Sequence, residues 1–496
     1  MLVGRHWHTY YGFTSFLQID RIVEANMVPA LRGGPIYIYP DEGSYDGCYY
    51  VQIATSPGLH DPALRTAIDD ASYRARRILL GAVAWVLGGG EPVRTAHVYA
   101  WLNVGLWFVL AAWLWKVFPV ADWRATLAWT LLLASAGVLF SVRFALTDLV
   151  ALVLTAGAIL LVERNRPGPA AALIGLTGLA RETGILGAAL FMADRPATVG
   201  AGVKLTGRLL LCALPLAAWL FYVRSALGGT SAGIGNLGWP LAGWLGRWRE
   251  LALGEYVTAN PRVYLESLLE HFALSVQAAY LLLRPKKDSP WWWTGIAYVL
   301  LLICMGHAVW GGYPNAASRV LLPLTLAFNV LVVRHRAALG WLLAGNLSVF
   351  AGYRCLEVAD SHIRDLPAHN TWNSWQRLEI DDRWAITEWN WNRRWAWCAH
   401  TGGLTISAWR HEGPRRLQLE MKGITPRELR ISYQGREIWR GELATRLQWI
   451  TLPELQPVNG SIQLELHTDS PPFKEGNGPY DRELSFACFG VRALEP

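Results

Sequence analysis

The sequence predicts a polytopic α-helical membrane domain followed by an all-β sandwich, and three observations carry that prediction. Hydrophobic residues make up 52% of the 496-residue chain and charged residues only 17%, which leaves little with which to solvate a surface. Tryptophan reaches 27, and aromatic belts at a membrane–water interface account for such a number. The polarity is also uneven: apolar blocks of helical length dominate residues 97–352, whereas 355–496 reads as an ordinary globular segment. A chain of this length holds more than one unit. The expected organisation is an extracytoplasmic loop with interfacial helices over 1–96, a transmembrane helical domain over 97–354, a Trp-rich connector over 355–402 and an extracytoplasmic β-sandwich over 403–496.

Taken in order, residues 78–89 are apolar but shorter than the ~20 residues that cross a bilayer, so they predict a helix lying at the interface. Spans are predicted at about 97–117, 124–142, 145–163, 206–223, 264–283, 290–310, 318–333 and 337–353. Arg284, Lys286 and Lys287 lie between two spans, and Arg334 and Arg336 between two more. Positive loops stay in the cytoplasm, so the last span delivers 355–496 to the outside. Residues 168–192 are basic on both flanks and broken at Leu179-Ala180-Arg181-Glu182-Thr183-Gly184. A re-entrant hairpin satisfies both flanks, because such a break is tolerated where it lines protein or a wet cavity. With it, the polar stretch 41–77 falls on the same outer face as the C-terminal segment. In that segment, Leu404 to Trp409, Arg416 to Met421, Glu428 to Ser432, Arg436 to Trp439, Leu447 to Leu452, Ile462 to His467 and Leu484 to Val491 alternate apolar and polar residues. Turn residues fall between them, and seven short strands so spaced predict a sandwich.

The net charge of +7 sits mostly between apolar blocks, so no nucleic-acid partner is expected. The six cysteines show no CxxC or zinc spacing, and no HExxH, Walker loop or GxSxG occurs. A metalloprotease, an ATPase and a serine hydrolase are therefore not expected, and no metal ligands are read, although a divalent metal stays open. Cys212 and Cys304 read as small buried hydrophobes, and a Cys398–Cys488 disulfide stays open. Residues 1–40 show no cleavable signal peptide.

Carboxylates, arginines and tyrosines gather in 41–77, beside the apolar blocks. Sugar transfer from a polyprenyl-phosphate donor needs a carboxylate to take a proton from the acceptor hydroxyl, worth ~10²–10⁴-fold. It also needs cations for the leaving phosphate and an apolar groove for the tail. Asp46, between Tyr45 and Gly47, is the expected base; the alternative is an Asp that caps a surface turn. Asp69, Tyr73, Arg74 and Arg77 form a second cluster, in which guanidinium groups suit a phosphate and Asp69 is a second acid or orients an arginine. The same residues also read as a helix over about 63–77 with acids early and bases late. Arg181 and Glu182 are ionisable groups at membrane depth, which face a cavity or pair with one another. Arg143, near Asp148, and Arg319 lie at the outer ends of spans, as anchors or as phosphate ligands. His307 reads as a packed polar residue.

Gly43-Ser44-Tyr45-Asp46-Gly47-Cys48-Tyr49-Tyr50, followed by Ile68-Asp69-Asp70-Ala71-Ser72-Tyr73-Arg74-Ala75-Arg76-Arg77-Ile78-Leu79, resembles the first outer loop of bacterial GT-C-type membrane glycosyltransferases. The subgroup is the one associated with cell-surface glycopolymer formation. Leu179 to Gly184 is similar to its L-x-RETG segment, and Tyr480 to Phe486 to its closing D-x-R-x-L-x-F strand. Cys48 stands where that subgroup has a glutamine, and Ala71 or Ser72 where it has a proline. Members begin with a span ahead of the loop, so either an earlier span is missing here or the remaining spans hold the loop. The resemblance implies a multi-pass protein of the bacterial inner membrane, with the first loop and C-terminal domain on the periplasmic side. It implies an undecaprenyl-phosphate sugar or similar polyprenyl-phosphate donor, a glycan or glycolipid acceptor, membrane lipid as partner and Asp46 as base. A glycan polymerase or ligase, or a non-catalytic glycan-transport or assembly protein, is the alternative.

Overall fold

The computed structural model describes residues 3–7, 11–39, 43–118, 122–193, 198–229, 233–254, 261–312, 315–356, 365–366, 368, 375–385, 387–390, 393–409, 413–475 and 482–494. Two compact units emerge: a mainly helical one built on Phe13–Arg32 and Tyr37–Glu357, and a β-sheet one built on Gly4–Gly12, Gly33–Ile36 and Val358–Pro496. Asp41, Glu42, Tyr480 and Asp481 lie outside the described residues.

In the helical unit, Pro92–Leu114 and Val199–Leu227 are long and apolar enough to cross a membrane. The pair Trp123–Leu133 and Ala136–Arg143, bent by 42°, makes a third if it is one span. At 1.5 Å per residue the first two reach about 35 and 44 Å, against a hydrocarbon core of roughly 30 Å. Val203, Leu210, Leu214 and Phe221 of the longer helix are exposed.

The other predicted spans are shorter, interrupted or, in one case, more charged. Asp148–Glu163 has 16 residues, about 24 Å of helix. Pro261–Leu283 carries Arg262, Glu266 and Glu270. Pro290–Cys304 stops before His307–Trp310 because Gly306 lies against the Gly235 carbonyl, 2.3 Å from where a Cβ would stand. Leu321 separates Ala316–Val320 from Leu322–Arg334, since Pro323 has no N–H with which to continue the ladder. Leu339–Ala344 and Val349–Cys355 are likewise separate. A hydropathy run passes over each of these breaks.

Within 168–192, the helix Pro167–Ala180 ends at Arg181, whose backbone is extended, and a 3-10 run Glu182–Ala193 follows. Ideal Cβ positions on Gly184 and Gly187 lie 2.7 Å from the Thr177 carbonyl oxygen and 2.9 Å from Ile174, so the two arms close on one another as a hairpin. Twelve residues is long for 3-10 geometry, and the glycines let it lie this close. The Tyr298 hydroxyl donates to the Thr183 carbonyl at 2.9 Å and holds the bend.

The single helix expected over 63–77 is instead two single turns, Leu64–Ala67 and Ala71–Arg74, with extended Ile68 between them. Asp70 starts the second by accepting from the Tyr73 amide at 2.8 Å, an N-cap that competes with a continuous helix. Residues 78–89 form the helix Leu79–Leu87, which exposes Val83, Trp85, Val86 and Leu87.

Among the described residues the other unit holds two large sheets and a small one, Phe473–Glu475 with Arg482–Leu484, all with antiparallel strand pairs. The first runs Arg436–Leu443, Arg427–Tyr433, Ser461–His467, Thr401–Trp409, Trp375–Ile380, Asp365–Leu366. The second runs Gln448–Leu455, Arg415–Gly423, Phe486–Leu494, Arg393–Cys398, Glu388–Asn390. Alternating residues of both, among them Leu378, Leu404, Ile431 and Leu464 from one and Leu419, Met421, Ile450 and Phe486 from the other, enter a common core. The seven predicted strands are present, but the sheets are not confined to 403–496. Trp375–Ile380 and Arg393–Cys398, inside the supposed connector, pair along Thr401–Trp409 and Phe486–Leu494. The density of tryptophan there obscured the period of two. Cys398 and Cys488 are both free and buried, because Phe486 faces Cys398 and Ala396 faces Cys488.

Candidate active site

The segment bearing Asp46 is fixed by buried polar groups that precede and follow it. Asp20 caps Arg21–Asn26 through the Val23 amide at 2.8 Å, and its other oxygen accepts from the Ser44 amide at 2.8 Å. The Tyr45 amide donates to the Gln18 carbonyl at 3.3 Å. Gly47 opens the helix Gly47–Thr55, and a Cβ there would lie 2.3 Å from the Phe144 carbonyl oxygen. Two backbones thus approach closely here, for which only glycine leaves room. Gln52 is fully buried, accepts from the Val28 amide at 3.0 Å and donates to the Cys48 carbonyl at 3.0 Å.

The residues 58–75 are tied to the long apolar helix. Trp219 donates its indole N–H to the Ala75 carbonyl at 2.8 Å, the Tyr222 hydroxyl donates to the Gly58 carbonyl at 2.6 Å, and Ser72 donates to the Leu227 carbonyl at 3.3 Å. The helix Val199–Leu227 therefore anchors this segment.

On this frame four carboxylates and four guanidinium groups converge. Arg74 Nη1 donates to Asp46 Oδ1 at 2.7 Å, while its Nε and Nη2 clamp Asp69 at 3.1 and 2.8 Å. The Arg74 guanidinium also lies 5.1 Å from the Tyr49 ring centre. Arg77 donates through Nε to Glu182 at 2.9 Å, through Nη2 to the Tyr73 hydroxyl at 3.0 Å and through Nη1 to the Tyr50 hydroxyl. Arg181 is ion-paired with Asp148 Oδ1, and Arg319 reaches Asp148 Oδ2 at 3.5 Å and the Tyr45 hydroxyl at 2.6 Å.

Asp46 stands at the N-cap position but makes no capping bond. Its Oδ1 serves Arg74, Oδ2 has no hydrogen-bond partner among the described residues, and the side chain is 24% exposed. Burial works to raise its pKa, yet the Arg74, Arg319 and Arg77 charges outweigh burial and hold it below the usual carboxylate value of 3.8. Arg74 is shifted upward: burial disfavours its charge, and the bonds to Asp69 and the Asp46 charge more than restore it. Both groups are ionised at neutral pH. The Cys48 thiol is pushed up by burial and stays protonated.

Asp46, Asp69, Tyr45, Tyr73, Arg74, Arg77, Arg181, Glu182 and Arg319 thus gather as three bonded groups, around Arg74, Arg77 and Asp148, with the charges of Arg77 and Arg319 acting on Asp46. Arg181 and Glu182 do not pair with each other, because the extended backbone at Arg181 sends them to different partners. Arg143 has no place among these ion pairs: its Nη2 donates to the Tyr39 hydroxyl at 3.1 Å. Sequence reasoning noted Asp148 without assigning it to the site, and it missed Tyr50. The signal for Asp148 was its place at the start of an apolar helix, where a carboxylate needs a partner. His307 is not packed but largely exposed, with Nε2 2.5 Å from Glu250 Oε1. Among the described residues no three His, Cys, Asp or Glu side chains come together as a metal-binding set.

Buried donors remain within the network. Among the described residues, Arg181 Nε, Arg319 Nε and the hydroxyls of Thr147 and Thr183 have no hydrogen-bond partner. No family model, curated protein or solved structure matches the chain.

Proposed function

We propose that the protein is a GT-C-type membrane glycosyltransferase that moves a sugar from a polyprenyl-phosphate donor to a glycan or glycolipid acceptor. In this reading it is a multi-pass protein of the bacterial inner membrane, with Asp46 and the β-sheet unit on the periplasmic face. The observation that carries it is the half-satisfied Asp46: one carboxylate oxygen is fixed by Arg74, and the other is ionised, open and ready for a hydroxyl proton. Arg74 orients that carboxylate, and Asp69, with both oxygens on Arg74, acts as the orienting acid. A bound acceptor hydroxyl at Oδ2 would lose its proton as it attacks the anomeric carbon, and the phosphate would leave with the bonding pair. The unpaired Nε atoms of Arg181 and Arg319 are donors suited to that developing charge, and Arg77 and Tyr73 support the rim of the same network. Exposed apolar faces on Val199–Leu227 and Leu79–Leu87 suit the lipid tail.

The test is release of polyprenyl phosphate from a polyprenyl-phosphate hexose by the full chain in vesicles. Asp46→Asn should lower release by ~10²–10⁴-fold. Undiminished release in that variant removes Asp46 as the base, and no release by the wild type from a panel of donors favours a non-catalytic assembly protein.

A further inference from the structure

One arginine of the helical unit stands apart from all the others described above. Arg143 ends the helix Ala136–Arg143 and is only 7% exposed, yet no carboxylate lies within ion-pair distance of it among the described residues. Its partners are neutral: the Ser15 carbonyl at 3.4 Å, the Tyr39 hydroxyl at 3.1 Å, and the rings of Phe16, Tyr39 and Phe144 at 5.7, 5.8 and 4.9 Å from its guanidinium carbon. Ring faces offset part of the loss of water around a cation. A buried charge nonetheless calls for an opposite charge, and among the described residues this one has none.

Beside it opens a pocket of about 240 Å³, whose lining includes Arg143, Phe144, Glu266, Ala351 and Arg354. Arg354 is already ion-paired with Glu266, so the positive charge of Arg143 is left over. At roughly 30 Å³ per water, the space equals about eight waters. That suits one sugar ring or a phosphate group and falls below the ~300–1,000 Å³ of sites for larger ligands. Phe144 forms the wall toward Asp46: its ring centre lies 4.8 Å from that of Tyr45, and its carbonyl abuts Gly47.

We propose that this pocket is an anion subsite, in which Arg143 binds the phosphate or carboxylate of a group about one sugar in size. The proposal does not depend on the role of Asp46, because binding is read directly.

The test is calorimetric titration of the full chain in lipid nanodiscs with a hexose 1-phosphate, inorganic phosphate and the neutral hexose. The two anions should bind and the neutral sugar should not. A hydrogen bond to a charged group is worth ~1.5–3 kcal/mol, about 10- to 150-fold in affinity, so Arg143→Gln should weaken anion binding at least tenfold. Arg383→Gln, at an exposed pair of the sheet unit, should leave it unchanged. Ala351→Leu fills the pocket without touching the charge and should weaken binding too, which keeps the test open if Arg143→Gln fails to fold. Displacement by polyprenyl phosphate in the nanodisc would assign the anion to the lipid; its absence, with binding intact, would assign a soluble group. Wild type that binds neither anion, binding that survives Ala351→Leu, or binding retained in full by Arg143→Gln would overturn the proposal.

Discussion

In the helical unit the side chains of Arg74, Arg77, Arg181 and Arg319 keep 13, 8, 14 and 8% of their surface exposed. In the sheet unit Arg377, Arg383, Arg430 and Arg440 keep 39, 47, 34 and 50%. The pair geometry is alike: Arg77 meets Glu182 at 2.9 Å, and Arg383 meets Glu465 at 3.0 Å. The energetics differ. A solvated pair gains little over two hydrated ions and is worth about 0–1 kcal/mol. A buried pair is scarcely more stabilising as a unit, but loss of one member strands a charge away from water and costs ~3–5 kcal/mol. The central ion pairs of the helical unit therefore have to stay matched, whereas those of the sheet unit can be lost at little cost.

The sharpest way to break this contrast is Asp148→Asn. Asp148 is 3% exposed and neutralises both Arg181 and Arg319, so the variant should lose ~3–5 kcal/mol in denaturant unfolding; a loss under ~1 kcal/mol would refute the matched-charge account. Gly47→Ala comes next. Its methyl would collide with a backbone carbonyl rather than a movable side chain, which should cost ~1–3 kcal/mol in the same assay. Glu465→Gln, at the exposed Arg383 pair, should change stability by no more than about 1 kcal/mol.

Acidification probes the same matching. Because the folded pKa of Asp46 is depressed, its contribution to stability is complete above the unfolded value near 3.8 and is lost as pH falls through the lower folded value. Activity should accordingly show no loss attributable to Asp46 between pH 7 and 5 in a pH–rate profile. An acid limb centred near pH 6 that Asp46→Glu displaces would contradict that assignment.

Much of this architecture was legible because its signals are local. The polar cluster in 41–77, the polar break at Arg181 and the alternation of the late strands each stand out within a few residues. What stayed hidden was non-local. Nothing near Asp148 in sequence announces that it neutralises arginines 33 residues downstream and farther still. Nothing around Phe144 foretells that its carbonyl will make a glycine obligatory at 47. Hydropathy likewise merged Ala316–Val320 with Leu322–Arg334, since an apolar run looks the same whether or not the backbone breaks. The strand Arg393–Cys398 was missed because Trp395 and Trp397 mask the alternation.

The most direct measurement pairs stability with turnover in Asp46→Asn and Asp148→Asn. Asp69 still clamps Arg74 when Asp46 is neutral, so Asp46→Asn should unfold close to wild type while release of polyprenyl phosphate falls by ~10²–10⁴-fold. Asp148→Asn should lose stability first. Normal turnover in a folded Asp46→Asn, or equal destabilisation in both variants, would contradict a base at Asp46 and reduce the network to a structural one.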